Sequence, residues 1–219
     1  MHYHVDRAVN LLKWPCAALS VLALAPAAST FYEALKPFWR SANLGVALAA
    51  GIGLFLLPIL FRRRLPQFGF WAAFEHEMTH ILFALLTLHP VGSMQATDGN
   101  GGWMTYRGNG NWLITISPYF FPTVPLLVGG IALLFPPALK LAGLSAVGFA
   151  IAWHVFATIR ETGAHQSDIQ KVGISFAVAF LPGVSLLCGG FAIALAAKGA
   201  SGPSWYCAKF TLNLYRMLP

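Results

Sequence analysis

Apolar residues fall in six long runs along the chain, separated by short polar stretches. A helix needs about 20 mostly apolar residues to cross a bilayer, and each run is close to that length. None of the runs has a distinct polar face, which is typical of helices surrounded by lipid or by other helices. The pattern predicts an all-α, multi-pass membrane protein with about six transmembrane helices, over residues 14–34, 44–61, 66–88, 112–135, 138–159 and 172–197.

The composition agrees with a membrane protein. Hydrophobic residues make up 57% of the 219 positions and charged residues only 10%, whereas a soluble domain is about 25% charged. The net charge of +7 comes from basic residues that lie mostly between the apolar runs, where membrane proteins carry them. We therefore expect no nucleic-acid partner. Three widely spaced cysteines indicate neither a zinc ribbon nor a disulfide scaffold.

The ends of the first two runs carry targeting and topology signals. Ala25-Pro26-Ala27 resembles a signal-peptidase site, but the first run is long for a signal peptide, which favours an uncleaved helix. The Arg62-Arg63-Arg64 triplet predicts a cytoplasmic loop after the second run.

Four ionisable side chains interrupt the third run, in the heptapeptide Phe-Glu-His-Glu-Met-Thr-His at residues 74–80. Even a lenient insertion scale gives a cost of about 2.5–3.5 kcal/mol for an aspartate at the centre of a membrane helix. On a helix, His76 and His80 project from one face and can bind one metal ion, and Glu77 beside them can take a proton from water. This pattern is typical of zinc metalloproteases. Polar residues that pair across helices would explain the polarity but not the spacing.

A catalytic zinc ion normally has three protein ligands and one open position. Asp98 lies in a Gly-rich stretch that predicts a turn, where an aspartate most often caps the turn. Asp168 lies at a polar joint between the fifth and sixth runs, where a carboxylate is a credible ligand. The residue types alone leave six candidates for the third ligand: His89, Asp98, His154, Glu161, His165 and Asp168.

The motif resembles that of the site-2 protease family of intramembrane zinc metalloproteases, and most closely its small bacterial branch. Its members have a third zinc ligand, an aspartate, roughly ninety residues after His-Glu-x-x-His and beyond two further apolar segments. Here His76 and Asp168 are 92 positions apart, with two apolar runs between them. The resemblance covers residues 66–175 and implies that His76, His80 and Asp168 hold Zn²⁺, with Glu77 as the catalytic base.

Further family features follow the motif. The family has a glycine-containing β-hairpin and then a helix that opens with small residues and a Gly-Pro. This chain offers Gly99, Gly101-Gly102-Trp103-Met104-Thr105, Arg107-Gly108 and Ser117-Pro118-Tyr119. The chain departs from the family where Thr79 replaces a common glycine. It also departs where Ser167 and Ile169 flank Asp168 in place of the more frequent Asn-Pro and Gly.

The polar stretch 90–111 predicts a short β-hairpin between the third and fourth helices, because segments 94–97 and 103–106 flank a Gly-rich turn. A substrate helix must unwind before its peptide bond meets a metal, and a strand edge would pair with the unwound backbone. We therefore expect Gly101, Gly102 and Thr105 to guide substrate. A simple connector is the alternative for a loop of this length.

Together these features predict a single membrane-embedded domain over residues 1–219, with an N-terminal helical hairpin (1–65), a catalytic core (66–175) and a final helix with an interfacial tail (176–219). The predicted function is hydrolysis of peptide bonds in or near transmembrane segments of substrate proteins, in a bacterial inner membrane. The expected partners are the lipid bilayer, a membrane-protein substrate and a regulatory membrane protein. The alternatives are a non-catalytic regulator of the same fold and a metal or ion transporter.

The side from which the site is reached stays open. If the arginine triplet is cytoplasmic and three helices cross after it, Asp168 emerges on the opposite face. The family resemblance implies access from the cytoplasm instead.

Overall fold

The chain folds into ten α-helices and one β-hairpin in a computed structural model that describes residues 2–60, 68–98, 101–163 and 165–217. Short 3₁₀ turns at Ser117–Tyr119, Pro137–Leu139 and Gly199–Ser201 join some of the helices. The first helices are α1 (His2–Leu11), α2 (Lys13–Arg40), α3 (Ala42–Leu60) and α4 (Phe68–Leu86), followed by strands β1 (Val91–Thr97) and β2 (Gly101–Tyr106). The later helices are α5 (Trp112–Ile116), α6 (Thr123–Ala132), α7 (Lys140–Glu161), α8 (Ser167–Val172), α9 (Ile174–Lys198) and α10 (Gly202–Met217).

Four helical segments in the described ranges are long and apolar enough to cross a membrane: Lys13–Arg40, Ala42–Leu60, Pro137–Glu161 and Ile174–Met217. The count rises to five if the broken pair Trp112–Tyr119 and Thr123–Ala132 is one span. The all-α prediction is confirmed and the helices indicate a membrane protein, but the count of six spans is not confirmed.

The predicted and observed numbers of membrane-spanning helices differ because of the third and fourth predicted spans. The third corresponds to α4, which is not among the four apolar helices because its Glu and His residues lower its mean hydropathy. The fourth is interrupted after Tyr119, since Pro118 and Pro122 each remove a backbone donor. The Arg62–Arg64 triplet, Pro66 and Gly99 lie outside the described residues, so the topology prediction stays a prediction.

The chain divides into two compact units, each built from three separate stretches. Unit 1 comprises residues 1–21, 65–121 and 157–181, and unit 2 comprises residues 22–64, 122–156 and 182–219. Helices α2, α7 and α9 contribute residues to both. Neither unit is therefore a contiguous segment of sequence.

Unit 2 packs helices closely through small residues. A Cβ atom on Gly51 of α3 would overlap the backbone of Ser145 in α7, and one on Gly148 of α7 would overlap the backbone of Leu48 in α3. The Ser145 hydroxyl donates to the Ala47 carbonyl at 2.7 Å across this contact. Close approach of this kind is a main source of stability between membrane helices, where lipid removes the hydrophobic driving force.

Unit 1 places the β-hairpin against α4. Strands β1 and β2 pair antiparallel from Thr97↔Gly101 to Val91↔Tyr106, with an irregularity between Val91 and Met94. The short helices α5 and α8 also pack together in this unit, and α5 contacts α4. Gly102 of β2 packs against the Glu77 side chain, which puts the second strand beside the His-Glu-x-x-His residues.

The Gly51 contact yields a stability prediction. We expect Gly51→Val to destabilise the protein by about 1–3 kcal/mol, the usual cost of overpacking, because the new side chain meets the Ser145 backbone. Gly53→Val is the matched control, since it lies on the same helix and a Cβ there meets nothing within 4 Å. Thermal unfolding in detergent measures the difference, and equal melting temperatures for the two variants would contradict the packing argument.

Candidate metal centre

One face of α4 carries the motif side chains into a pocket. Ala73, His76, Glu77 and His80 line it together, and their spacing of three, four and seven residues places them on one side of a helix. The pocket has a volume of about 360 Å³. Thr79, which stands at the family's usual glycine position, is buried, and its hydroxyl donates to the Glu75 carbonyl at 2.9 Å. The threonine is therefore accommodated within the helix.

Helix α8 brings Asp168 to the two histidines. The Oδ2 atom of Asp168 lies 3.3 Å from Nε2 of His76 and 3.2 Å from Nε2 of His80. These three residues each offer one ligand atom, all within 4.8 Å of one another, and together they can hold a metal ion. The structure thus assembles the three residues that the family resemblance implied, across a sequence separation of 92 positions.

The chemistry of the donors fits a cation. Nδ1 of His80 is 2.8 Å from the Ile114 carbonyl; because a carbonyl only accepts, this nitrogen is the N–H donor, and Nε2 is the ring atom that faces Asp168. A lone pair that faces a carboxylate oxygen at 3.2 Å is repulsive unless a proton or a cation lies between them. Tetrahedral coordination with ligands about 2.0–2.1 Å from the metal separates the ligands by about 3.3 Å, close to the observed distances.

A buried polar network holds the carbonyl that orients His80. The Asn111 side chain caps α5 by accepting from the Ile114 backbone N–H at 3.2 Å, and its Nδ2 donates to Asp6 of α1 at 2.8 Å. His89 also contacts the Asp6 carboxylate, with Nε2 at 3.1 Å from Oδ2. Asp6, His89 and Asn111 are all buried. The N-terminal helix thereby helps to fix a possible metal ligand through α5.

Tyr119 supports His76. Its ring packs edge-on against the His76 ring, with centroids 5.3 Å apart, and it is buried. Its hydroxyl has no hydrogen-bond partner in the part of the chain that the structure describes. No sequence pattern around Tyr119 predicts this contact.

Glu77 is covered by the hairpin. A Cβ atom on Gly102 would come within 2.7 Å of Glu77 Cγ and 2.9 Å of the Gln95 carbonyl, so only glycine allows this approach. Gly101 has a φ of 74°, in the left-handed region that favours glycine. Both glycines line the pocket with Glu77. Thr105 is not among the pocket residues, and its hydroxyl lies 2.9 Å from the Ser93 backbone N–H as the acceptor.

The other candidates for the third ligand are placed elsewhere. Asp98 is exposed in the hairpin turn, His165 is exposed before α8, and His89 belongs to the Asp6 network. His154 is a residue of unit 2 and is not in the group. Glu161 lines the pocket without joining that group.

Lys171 is a pocket residue that sequence reasoning missed. Its Nζ lies 3.6 Å from Asp168 Oδ1, one helical turn away, and its side chain is 68% exposed. Only the placement of α8 at the pocket reveals this neighbour, because lysine at a helix end is common in any sequence.

The geometry predicts which residues bind metal. We expect Asp168→Ala to abolish stoichiometric metal binding, because it removes one of the three converging donors. His165→Ala, three residues away and exposed, is the matched control and should keep the metal. Elemental analysis of detergent-purified protein measures both. If Asp168→Ala keeps the metal and His165→Ala loses it, Asp168 is not the third ligand and the prediction is wrong.

Comparisons with protein-family models, curated proteins and solved structures find no match for this chain. The resemblance to site-2 proteases therefore stays a prediction from the motif and its spacing.

Proposed function

We propose that this chain is an intramembrane zinc metalloprotease, which hydrolyses peptide bonds in or near the transmembrane segments of substrate proteins. The observation that carries the proposal is the convergence of His76, His80 and Asp168 in a pocket that also contains Glu77. A hydrolytic metal site needs three protein ligands for the metal and a nearby carboxylate that does not bind it and can act as a base.

Zinc is the proposed metal because of the donor set. Two imidazole nitrogens and one carboxylate oxygen match the ligands zinc takes, and three protein ligands leave one position for water or substrate. The His80–Ile114 hydrogen bond is the kind of contact that orients such ligands. A zinc ion in this site would act as a Lewis acid and lower the pKa of a water molecule to about 7.

Glu77 moves the protons in the proposed reaction. Its carboxylate accepts a proton from the attacking water as the oxygen adds to the scissile carbonyl carbon. The same proton then passes to the amide nitrogen, the C–N bond breaks, and the products are a carboxylic acid and an amine. The packing of Gly102 against the Glu77 side chain holds the carboxylate at the pocket wall without a covering side chain.

The hairpin is the proposed guide for the substrate backbone. Gly101, Gly102, Trp103 and Met104 of β2 lie along the pocket, and a two-stranded sheet leaves one edge of each strand free to pair. An unwound substrate segment added to this sheet would satisfy its backbone groups in apolar surroundings. Gly101, Gly102 and Thr105 are the proposed guiding residues, with Thr105 acting through the hairpin itself.

The proposed location is a bacterial inner membrane, and the proposed partners are the bilayer, a membrane-protein substrate and a regulatory membrane protein. The candidate membrane helices support the membrane setting.

Substitution of the proposed base tests the mechanism. We expect Glu77→Gln to keep one zinc ion per chain and to lose proteolysis of a transmembrane substrate by at least about 100-fold, because an amide cannot take the proton. Glu75→Gln is the matched control, since Glu75 is equally buried on α4 but does not line the pocket. Cleavage in proteoliposomes is measured by mass spectrometry of the products.

Three results would contradict the proposal. Full proteolysis by Glu77→Gln would remove Glu77 from the mechanism. A wild-type chain that holds zinc but cleaves no substrate would indicate a non-catalytic regulator. Metal flux into liposomes without proteolysis would indicate a transporter.

A further inference from the structure

Unit 2 contains a second pocket, with a volume of about 470 Å³. It lies among the ends of several helices, where α6 and α9 finish and α7 begins. Its size is within the range of small-molecule and cofactor sites. All of its residues belong to unit 2, so it is separate from the metal centre of unit 1.

The lining combines an apolar wall with positive charge. Every lining residue other than two lysines is Ala, Gly, Leu or Val, and no acidic residue is present. The lysines are Lys140 and Lys198, both exposed. The apolar residues include Leu44, Gly129, Leu144, Val147, Leu195 and Ala200.

The two lysines stand at ends of α-helices: Lys140 lies near the start of the apolar segment Pro137–Glu161, and Lys198 lies where α9 gives way to a 3₁₀ turn within the apolar segment Ile174–Met217. Lys140 is the first residue of α7, and Lys198 is the last residue of α9. The Lys198 ammonium lies 4.6 Å from the centre of the Trp205 ring, a cation–π contact that holds it at the rim. Lysine and tryptophan at helix ends are typical of the membrane–water interface. We therefore expect the two lysines at headgroup level, with the apolar wall of the pocket facing the acyl-chain region.

We propose that this pocket binds an anionic phospholipid. An acyl chain fits the Ala, Gly and Leu wall, and the headgroup phosphate lies between the ammonium groups of Lys140 and Lys198. Basic pockets between membrane helices recognise anionic headgroups in this way. A zwitterionic headgroup gains less, because the lining offers no carboxylate to its cation. The site is independent of the proposed protease function.

Lipid binding to the full-length purified protein tests the proposal. Native mass spectrometry with phosphatidylglycerol and with phosphatidylcholine of the same acyl chains gives the two Kd values. We expect one phosphatidylglycerol to bind about 30-fold more tightly than phosphatidylcholine, the preference that two interfacial lysines provide. The double variant Lys140→Gln/Lys198→Gln should lose this preference. Lys209→Gln/Arg216→Gln removes the same charge from α10 outside the pocket and should keep it.

A third variant locates the lipid. Ala200→Trp keeps both lysines but places an indole ring in the pocket, so it should weaken phosphatidylglycerol binding at least tenfold. Three outcomes would overturn the proposal: equal Kd values for the two lipids, an unchanged preference in the Lys140/Lys198 double variant, or wild-type binding by Ala200→Trp. Loss of the preference in the α10 control would also overturn it, because net charge rather than the pocket would then select the lipid.

Discussion

Two imidazole nitrogens and a carboxylate oxygen meet within 4.8 Å in unit 1, and much of that unit serves to hold them there. Such groups are costly to bury and repel one another when their lone pairs converge. Helix α4 fixes the two histidines at helical spacing, the Ile114 carbonyl orients His80, and α8 delivers Asp168. A metal ion bound by the three groups, or a proton between the nitrogen and the oxygen, would turn this repulsion into attraction, and the three residues can hold such an ion.

The sequence predicted the part of this site that is local. His76, Glu77 and His80 share a face because of helix geometry alone, and that inference needs no tertiary information. The prediction of Asp168 as the third ligand depended on the spacing seen in a known family, because no local pattern connects residues 92 positions apart. The count of membrane helices was not confirmed because the residues that build the site lower the hydropathy of α4. The polar residues of the candidate site therefore weaken the hydropathy signal by which spans are counted.

Other parts of the site had no usable sequence signal. Asp6 and Asn111 meet only because α1 folds back onto α5, and neither residue type marks such a contact in advance. The fit of Gly102 against Glu77 likewise depends on how the hairpin lies on α4. A glycine in a predicted turn is normally explained by the backbone conformation of the turn. Here the absence of a side chain on Gly102 instead makes room for the Glu77 side chain.

The sequence separations within the site also set the order in which it can form. During synthesis Asp6 precedes its partner Asn111 by 105 positions, and His80 precedes Asp168 by 88 positions. Helix α4 therefore leaves the ribosome with its histidines and glutamates but without the carboxylate that completes the triad. Under the proposed function, a chain still being synthesised has no hydrolytic capacity until α8 has emerged. The helices before α8 therefore enter the membrane while the candidate metal site is still incomplete.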